Sequence, residues 1–241
     1  MQSKDVTLFF HTDPIPKKDN PSHRHSDLLS FVLFHKSKPV LIDVGRFSYN
    51  IDDPIGSYGY SAKAHNCLTV DELGPQAGIN NRRLPDFYRS SRVITQYSLD
   101  SNQFKFEIEH DGFSRLFGDP IIHKRVFILS KGCFSIEDEL NGKKKHHINT
   151  YFHWSPKIKI IKNDDRNFRV NSLRDNQFEG LLHYKCDGLS DDNFQSTLIN
   201  DNNSMGYYFP NYGKKEKITT LHFSQNLKLP IVNKYILEWN T

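Results

Sequence analysis

The feature that most constrains this chain is a succession of short, alternating apolar segments running from residue 93 to the C-terminus. Candidate strands lie at 93–97, 104–110, 123–129, 134–138, 147–154, 158–162, 168–171, 181–185, 205–209, 218–223 and 231–239. Turn signals separate them: Ser101-Asn102, Ser130-Lys131-Gly132, Asn141-Gly142 and Asn163-Asp164-Asp165. Residues two apart on a strand share a face, so each segment can bury one face. No segment keeps a 3.6-residue period over three turns, so long helices are not expected. Asn141-Gly142 between two alternating runs predicts a β-hairpin, with Lys143, Lys144 and Lys145 on its solvated turn. Many short strands at regular spacing predict an all-β fold, a large antiparallel β-sandwich forming one domain over residues 1–241. With 241 residues, of which 18 are Phe and 11 Tyr, the chain has enough apolar and aromatic surface for such a core.

The N-terminal third is less regular. Strands are expected at 6–10, 28–34, 39–44 and 67–70, with loops at 13–22, 45–62 and 74–86. Loops of that length in a compact domain usually carry function. The formal net charge is only +4, from 32 basic and 28 acidic residues that are scattered. A nucleic-acid surface is therefore not expected, whereas an anionic polysaccharide remains compatible. Cys67, Cys133 and Cys186 are odd in number and far apart, which argues against a disulfide framework or a cysteine-type zinc site. They read as buried apolar residues. No apolar run is long enough to span a membrane. The first ten residues, with Lys4 and Asp5, do not read as a secretory signal.

One constellation reads as chemistry. His23 and His25 stand at i, i+2 ahead of an apolar run, where a strand would point both imidazoles to one side. Asp43 and His65 follow at strand ends. Two imidazoles and a carboxylate, His25, His65 and Asp43, are a familiar zinc donor set. The alternative is that both histidines are hydrogen-bonding residues at strand ends. His23 is then a fourth ligand, a general acid or base, or a plain loop histidine. Asp27 orients a histidine or caps a turn, and Asn66 is an amide beside a ligand or a strand-entry residue. Tyr60, Arg83 and Arg115, on loops around this set, are candidate substrate-binding residues. For Arg115 an ion pair with Asp119 or Glu109 is the structural expectation. His153, among aromatics, reads as a core histidine. A cupin-like metal enzyme also uses His-x-His and a later His, but the glutamate expected after that motif is missing.

In order along the chain, four blocks resemble a known family. His23-Arg24-His25-Ser26-Asp27-Leu28-Leu29-Ser30-Phe31 is similar to the His-x-His-x-Asp motif and Ser-Phe strand that open the heparinase II/III-like domain of bacterial polysaccharide lyases. Leu41-Ile42-Asp43-Val44-Gly45 resembles its Asp-x-Gly strand end, and Ala64-His65-Asn66-Cys67-Leu68-Thr69-Val70-Asp71 its Ala-His-Asn block. His110-Asp111-Gly112-Phe113-Ser114-Arg115 and Ile136-Glu137-Asp138 fall where such proteins place similar residues. The resemblance covers about residues 5–160. It implies a β-sandwich packed against an N-terminal (α/α) toroid, and β-elimination at uronic-acid glycosidic bonds. It implies a catalytic role for His23 and zinc ligation by His25, Asp43 and His65. The family's catalytic tyrosine and an Asn/His pair lie on the toroid, for which this sequence has no counterpart. The expectation is thus a fragment, half of a split gene, or a stand-alone module that binds polysaccharide or docks on a toroid-bearing partner chain. As part of a longer precursor it would belong to the bacterial periplasm or cell envelope, and otherwise to the cytoplasm.

Overall fold

A computed structural model of the chain describes residues 5–13, 25–76, 93–99, 103–116, 118–173, 178–187, 194–201 and 205–240. The first strands are β1 (Val6–Phe10), β2 (Phe31–His35), β3 (Lys38–Leu41) and β4 (Leu68–Val70), with helix α1 (Pro54–Tyr58) between β3 and β4. Then come β5 (Val93–Leu99), β6 (Gln103–Phe113), β7 (Ile121–Ser130), β8 (Cys133–Asn141), β9 (Lys145–His153) and β10 (Ile158–Lys162). The series ends with β11 (Asn167–Ser172), β12 (Glu179–Asp187), β13 (Gln195–Ile199), β14 (Tyr207–Tyr208), β15 (Glu216–Lys217), β16 (Thr220–Lys228) and β17 (Ile231–Trp239). An eight-stranded sheet in the order β10-β11-β12-β17-β8-β7-β6-β5 faces a four-stranded sheet, β13-β16-β9-β4. The strands β1-β2-β3 form a third sheet, and β14 pairs with β15. Pairing within these sheets is antiparallel. The expected all-β sandwich is what forms.

Alternation explains the layering. On β17 the buried residues Ile231, Asn233, Tyr235, Leu237 and Trp239 recur every second position. Phe127, Phe134, Ile136, Tyr235 and Leu237 from the large sheet join Phe152, Leu221 and Phe223 from the small one in a single core. Phe152 meets Tyr235 edge-to-face at 4.9 Å. Each fully buried ring or branched side chain contributes about 1.5–3 kcal/mol, and truncating one such as Phe152 to alanine costs about 3–5 kcal/mol. A smaller apolar cluster of Ile42, Val44, Tyr58, Ala64, Tyr207, Phe209 and Ile218 underlies the loop after β3.

Three local expectations are corrected. Asn141-Gly142 is not a hairpin turn. It carries the chain from β8 in the large sheet to β9 in the small one. Gly142 is required there by crowding, since a Cβ would lie 2.7 Å from Leu229 Cδ1 and 3.0 Å from Asp119 Oδ2. Lys143 and Lys144 donate their backbone N–H groups to the Asp119 carboxylate across this arch. The tight hairpin is instead Lys131-Gly132, between the paired ends Ser130 and Cys133, with Gly132 at φ +70. Second, the 45–62 loop contains α1, started by Pro54 and capped by the Asp53 side chain on Ile55 N at 3.3 Å. Third, of the three cysteines only Cys67 is buried; Cys133 and Cys186 are half-buried, and none of them is in a disulfide. Among the described residues no helix is long and apolar enough to cross a membrane.

Candidate metal centre

The segment expected to be a strand from residue 28 is a turn up to residue 30. Ser30 N donates to Asp27 O at 2.8 Å, and Leu29 takes a positive φ of 65. The strand β2 starts only at Phe31. His25 and Asp27 are therefore placed by a turn rather than by strand alternation. Ser26 fixes that turn: its N donates to Tyr60 O at 3.0 Å and its hydroxyl to Gln76 O at 2.6 Å. His23 and Arg83 lie outside the described residues.

The turn faces two further elements. Asp43 follows β3 and accepts from Gly45 N at 2.9 Å and from His65 Nδ1 at 2.6 Å. His65 ends a 3₁₀ turn, Ala62–Ala64, and its side chain is buried. Donor atoms of His25, Asp27 and His65 lie within 4.8 Å of one another. The structure thus brings His25, Asp43 and His65 together and adds Asp27. The signal for Asp27 was its place in His-x-His-x-Asp.

The charge states of His25 and of the carboxylates suit ligation, while Asp43 draws His65 towards its protonated form. Burial, reinforced by His65, pushes His25 down to about 4, so its imidazole is neutral at neutral pH. Burial alone would raise the Asp43 carboxyl, but the charge and hydrogen bond of His65 hold it well below the usual carboxylate range. Reciprocally, burial lowers His65 while Asp43 raises it, with a net rise. Asp27 behaves like Asp43: burial opposes ionisation, and the contact with His11 Nδ1 at 3.0 Å favours it. Two imidazoles and a carboxylate, His25, His65 and Asp27, lie close enough to share one ion, and Asp43 sits behind them on His65 Nδ1; such a nitrogen-rich set suits zinc better than calcium.

Sequence reasoning missed what holds these pieces. Asn66, fully buried, donates its amide to Phe31 O (2.7 Å) and Ile42 O (2.9 Å) and accepts from His153 N (2.7 Å). It therefore ties together β2, the residue before Asp43, and β9. Arg125 on β7 donates to Leu29 O at 2.9 Å and to Asn66 O at 2.8 Å, while gripping Asp138 of β8 through Nε and NH2. The readable signal was a charged residue at an inward position in each of two apolar strands. His153 is a core histidine as expected, bonded to Thr220 Oγ1 at 2.9 Å and pushed down to about 3 by burial.

The remaining candidates are placed as follows. Tyr60 is 4% exposed, with His25 against its edge at 5.0 Å and the Arg46 guanidinium 3.9 Å above its ring. Tyr58 donates its hydroxyl to Lys63 O at 3.1 Å. Arg115 donates to the carbonyls of Gly74, Pro75 and Gly112. It does not take the expected pair with Asp119, whose carboxylate is occupied by Lys143 N, Lys144 N and His146.

Comparison with known proteins decides the lineage. The family model described as heparinase II/III-like, C-terminal, matches residues 1–233. The chain belongs to this family. Among solved structures, a heparinase III with methylated lysines superposes with TM-score 0.73 at 15% identity, over 97% of this chain and 32% of that one. A mutant of the heparan sulfate lyase HepC from Pedobacter heparinus gives TM-score 0.73 at 14% identity, over 97% of this chain and 33% of that one. At such identities the likeness concerns the fold, which is that of the heparinase β-sandwich. This heparinase II/III-like chain spans about a third of the length of those two solved structures. A search of curated proteins found no match.

Proposed function

We propose that this heparinase II/III-like sandwich is the C-terminal portion of a polysaccharide lyase that cleaves uronic-acid polymers by β-elimination. The convergence of His25, Asp27 and His65, with Asp43 hydrogen-bonded to His65, within a lyase-family sandwich carries the reading. In that reaction a base removes the C5 proton, α to the uronate carboxylate. The 4-oxygen leaves with a proton, and the enolate-like charge must be offset. His23 is the proposed proton-transfer group at the substrate side of the turn. Zinc would be held by His25, Asp43 and His65, with Asp27 as fourth donor. When bound it supplies fixed positive charge beside the uronate and a cross-link between the 25–30 turn and the 43–65 loop.

The proposed division of labour gives the sandwich the metal centre and His23, and an (α/α) toroid, in the same protein or a partner chain, the other wall of the groove. Alone, the sandwich would turn over little substrate. The second reading, a polysaccharide-binding or docking module, draws on Tyr58 and Tyr60 both being buried and engaged near His25. The test is incubation with heparan sulfate and with alginate, with and without a toroid domain, following the ultraviolet absorbance of the unsaturated uronate. Absorbance growth only with the toroid supports the lyase; none in any combination overturns it. Metal analysis should find one zinc per chain, lost in His25→Ala. Another metal, or unchanged zinc in that variant, overturns the ligand assignment.

A further inference from the structure

We infer that Arg46, Tyr49 and Tyr212 form a subsite for an acidic sugar ring beside the metal centre. The inference rests on the polysaccharide reading above and names the residues and ligand class for one side of that site. Beginning at His25, side chains stack outward in an unbroken series. His25 abuts the edge of Tyr60, the Arg46 guanidinium covers the Tyr60 ring, and the same guanidinium lies 3.8 Å from the Tyr49 ring centre. Tyr49 then stacks with Tyr212 at 5.9 Å and an interplanar angle of 27°. Tyr49 and Tyr212 are 60% and 66% exposed, whereas Tyr60 is buried.

Exposed single aromatics are ordinary. Two features set this pair apart. The first is its backbone support. Phe209 N donates to Val44 O at 2.7 Å and Gly213 N to Phe47 O at 2.9 Å. Gly45, at φ +74, forms a parallel bridge with Phe209, and a Cβ there would sit 2.7 Å from Phe209 O. Segments 44–49 and 209–213 are thereby locked side by side, and Phe47 packs on Phe209 at 5.5 Å beneath the two tyrosines. Two exposed rings are held with their planes 27° apart. The second is charge. Arg46 donates Nε to Ser48 O at 3.3 Å and shares a side-chain hydrogen bond with Tyr49, but it is in no ion pair with a carboxylate among the described residues, and its buried NH2 group has no hydrogen-bond partner there. Lys214 and Lys215 follow Tyr212 on the exposed turn, with Glu216 next in sequence and Asp201 close enough to act on Lys215.

An aromatic face is electronegative and accepts the electropositive C–H face of a sugar ring. A guanidinium at its border recognises a carboxylate or sulfate. Together they fit an acidic pyranose, and a neutral one only in part. The series places that ring one step outward from His25, where a polymer leaving the metal centre would pass.

The test measures binding rather than turnover, by calorimetry on the zinc-loaded chain. Probes are heparan sulfate and alginate hexasaccharides, with cellohexaose as the neutral control. Tyr212→Ala and Tyr49→Ala should each weaken acidic-probe binding about tenfold, with zinc content and unfolding midpoint unchanged. Arg46→Gln should erase the preference for acidic over neutral probe. Equal affinity in wild type and Tyr212→Ala, or no acidic-probe binding by wild type, overturns the subsite. If both tyrosine variants lose binding while no elimination product ever forms, the subsite stands and the lyase reading fails. If elimination proceeds and the variants bind as wild type, the reverse holds.

Discussion

Two polar clusters in this sandwich use the same residue types to opposite ends. On β6, β7 and β8, His110, His123, Arg125 and Asp138 are all buried between apolar strands. Gly112 N donates to His110 Nδ1 (3.0 Å), His110 Nε2 to His123 Nδ1 (2.9 Å), and His123 Nε2 to Asp138 Oδ1 (2.9 Å). That chain fixes both tautomers and leaves both rings neutral, in keeping with burial lowering each. Arg125 completes the set with two bonds to Asp138. Every donor has an acceptor, so the cluster is closed. Around His25 and His65 the same side-chain types converge with capacity to spare, on a turn and a loop rather than on strands. A closed polar cluster buried in a sheet is a brace, whereas an open one beside a loop is a place for a ligand. The two are joined, since Arg125 reaches from the brace to Leu29 O and Asn66 O at the edge of the open cluster.

The largest effect should come from cutting that join. Arg125→Ala leaves Asp138 charged and buried with only its hydrogen bond from His123, which costs about 3–5 kcal/mol. For a chain of this size that lowers the thermal midpoint by about 10 °C, read by calorimetry. Zinc content should fall as well, because both site segments lose their anchor. Full zinc retention in a destabilised Arg125→Ala protein would separate the two clusters again. Asn66→Ala comes next. It strands the carbonyls of Phe31 and Ile42 and the N–H of His153, and should cost about 2–3 kcal/mol in urea unfolding. Here zinc affinity should drop more than for any core truncation of equal cost, since Ile42 adjoins Asp43.

The smallest effect is a pH dependence from a third cluster that is neither closed nor open. His146 bridges Asp71 (2.7 Å) and Asp119 (3.0 Å). Burial lowers its pKa, but the two carboxylates prevail and the net shift is upward from 6.5. A raised histidine contributes stability that is complete below 6.5 and fades as pH climbs through the folded value. The urea midpoint should therefore decline as pH rises above 6.5, and His146→Gln should flatten that decline. Asp119, held down to about 2 mainly by the N–H groups of Lys143 and Lys144 against burial, works the other way and loses its contribution only as pH falls towards 2.

The fold was legible where one physical signal acted alone. From residue 93 to 185 alternation decides which face is buried, and the strands appear where the period placed them; beyond that, β13 forms in a stretch that reads as a polar loop, and β16 runs on to Lys228, past the expected end at residue 223. Reading failed where two signals competed. At Asn141-Gly142 the dipeptide favours a hairpin, yet β8 already has β7 and β17 as neighbours, so β9 must pair elsewhere. At Leu28-Leu29 an apolar run looks like strand, yet backbone bonds from Leu29 N to His11 O and from Ser30 N to Asp27 O make it a turn. That His25, Asp43 and His65 lie near one another was legible through the motif blocks that resemble the family, not through their spacing. Asn66 and Arg125 were less so, because their role lies in carbonyls supplied by distant segments, which no local pattern reveals.

The lock between Gly45 and Phe209 also bears on how the protein is made. Asp43 stands two residues before that bridge, and Val44 O awaits the N–H of Phe209. The loop that carries a site residue from the first fifth of the chain therefore lacks its final support until synthesis has passed residue 209. Non-local closure of this kind is slow to form. The N-terminal turn and loop would wait, unsupported, while the sheets assemble around them. The surroundings of Asp43 are thus completed by backbone that lies far downstream of it.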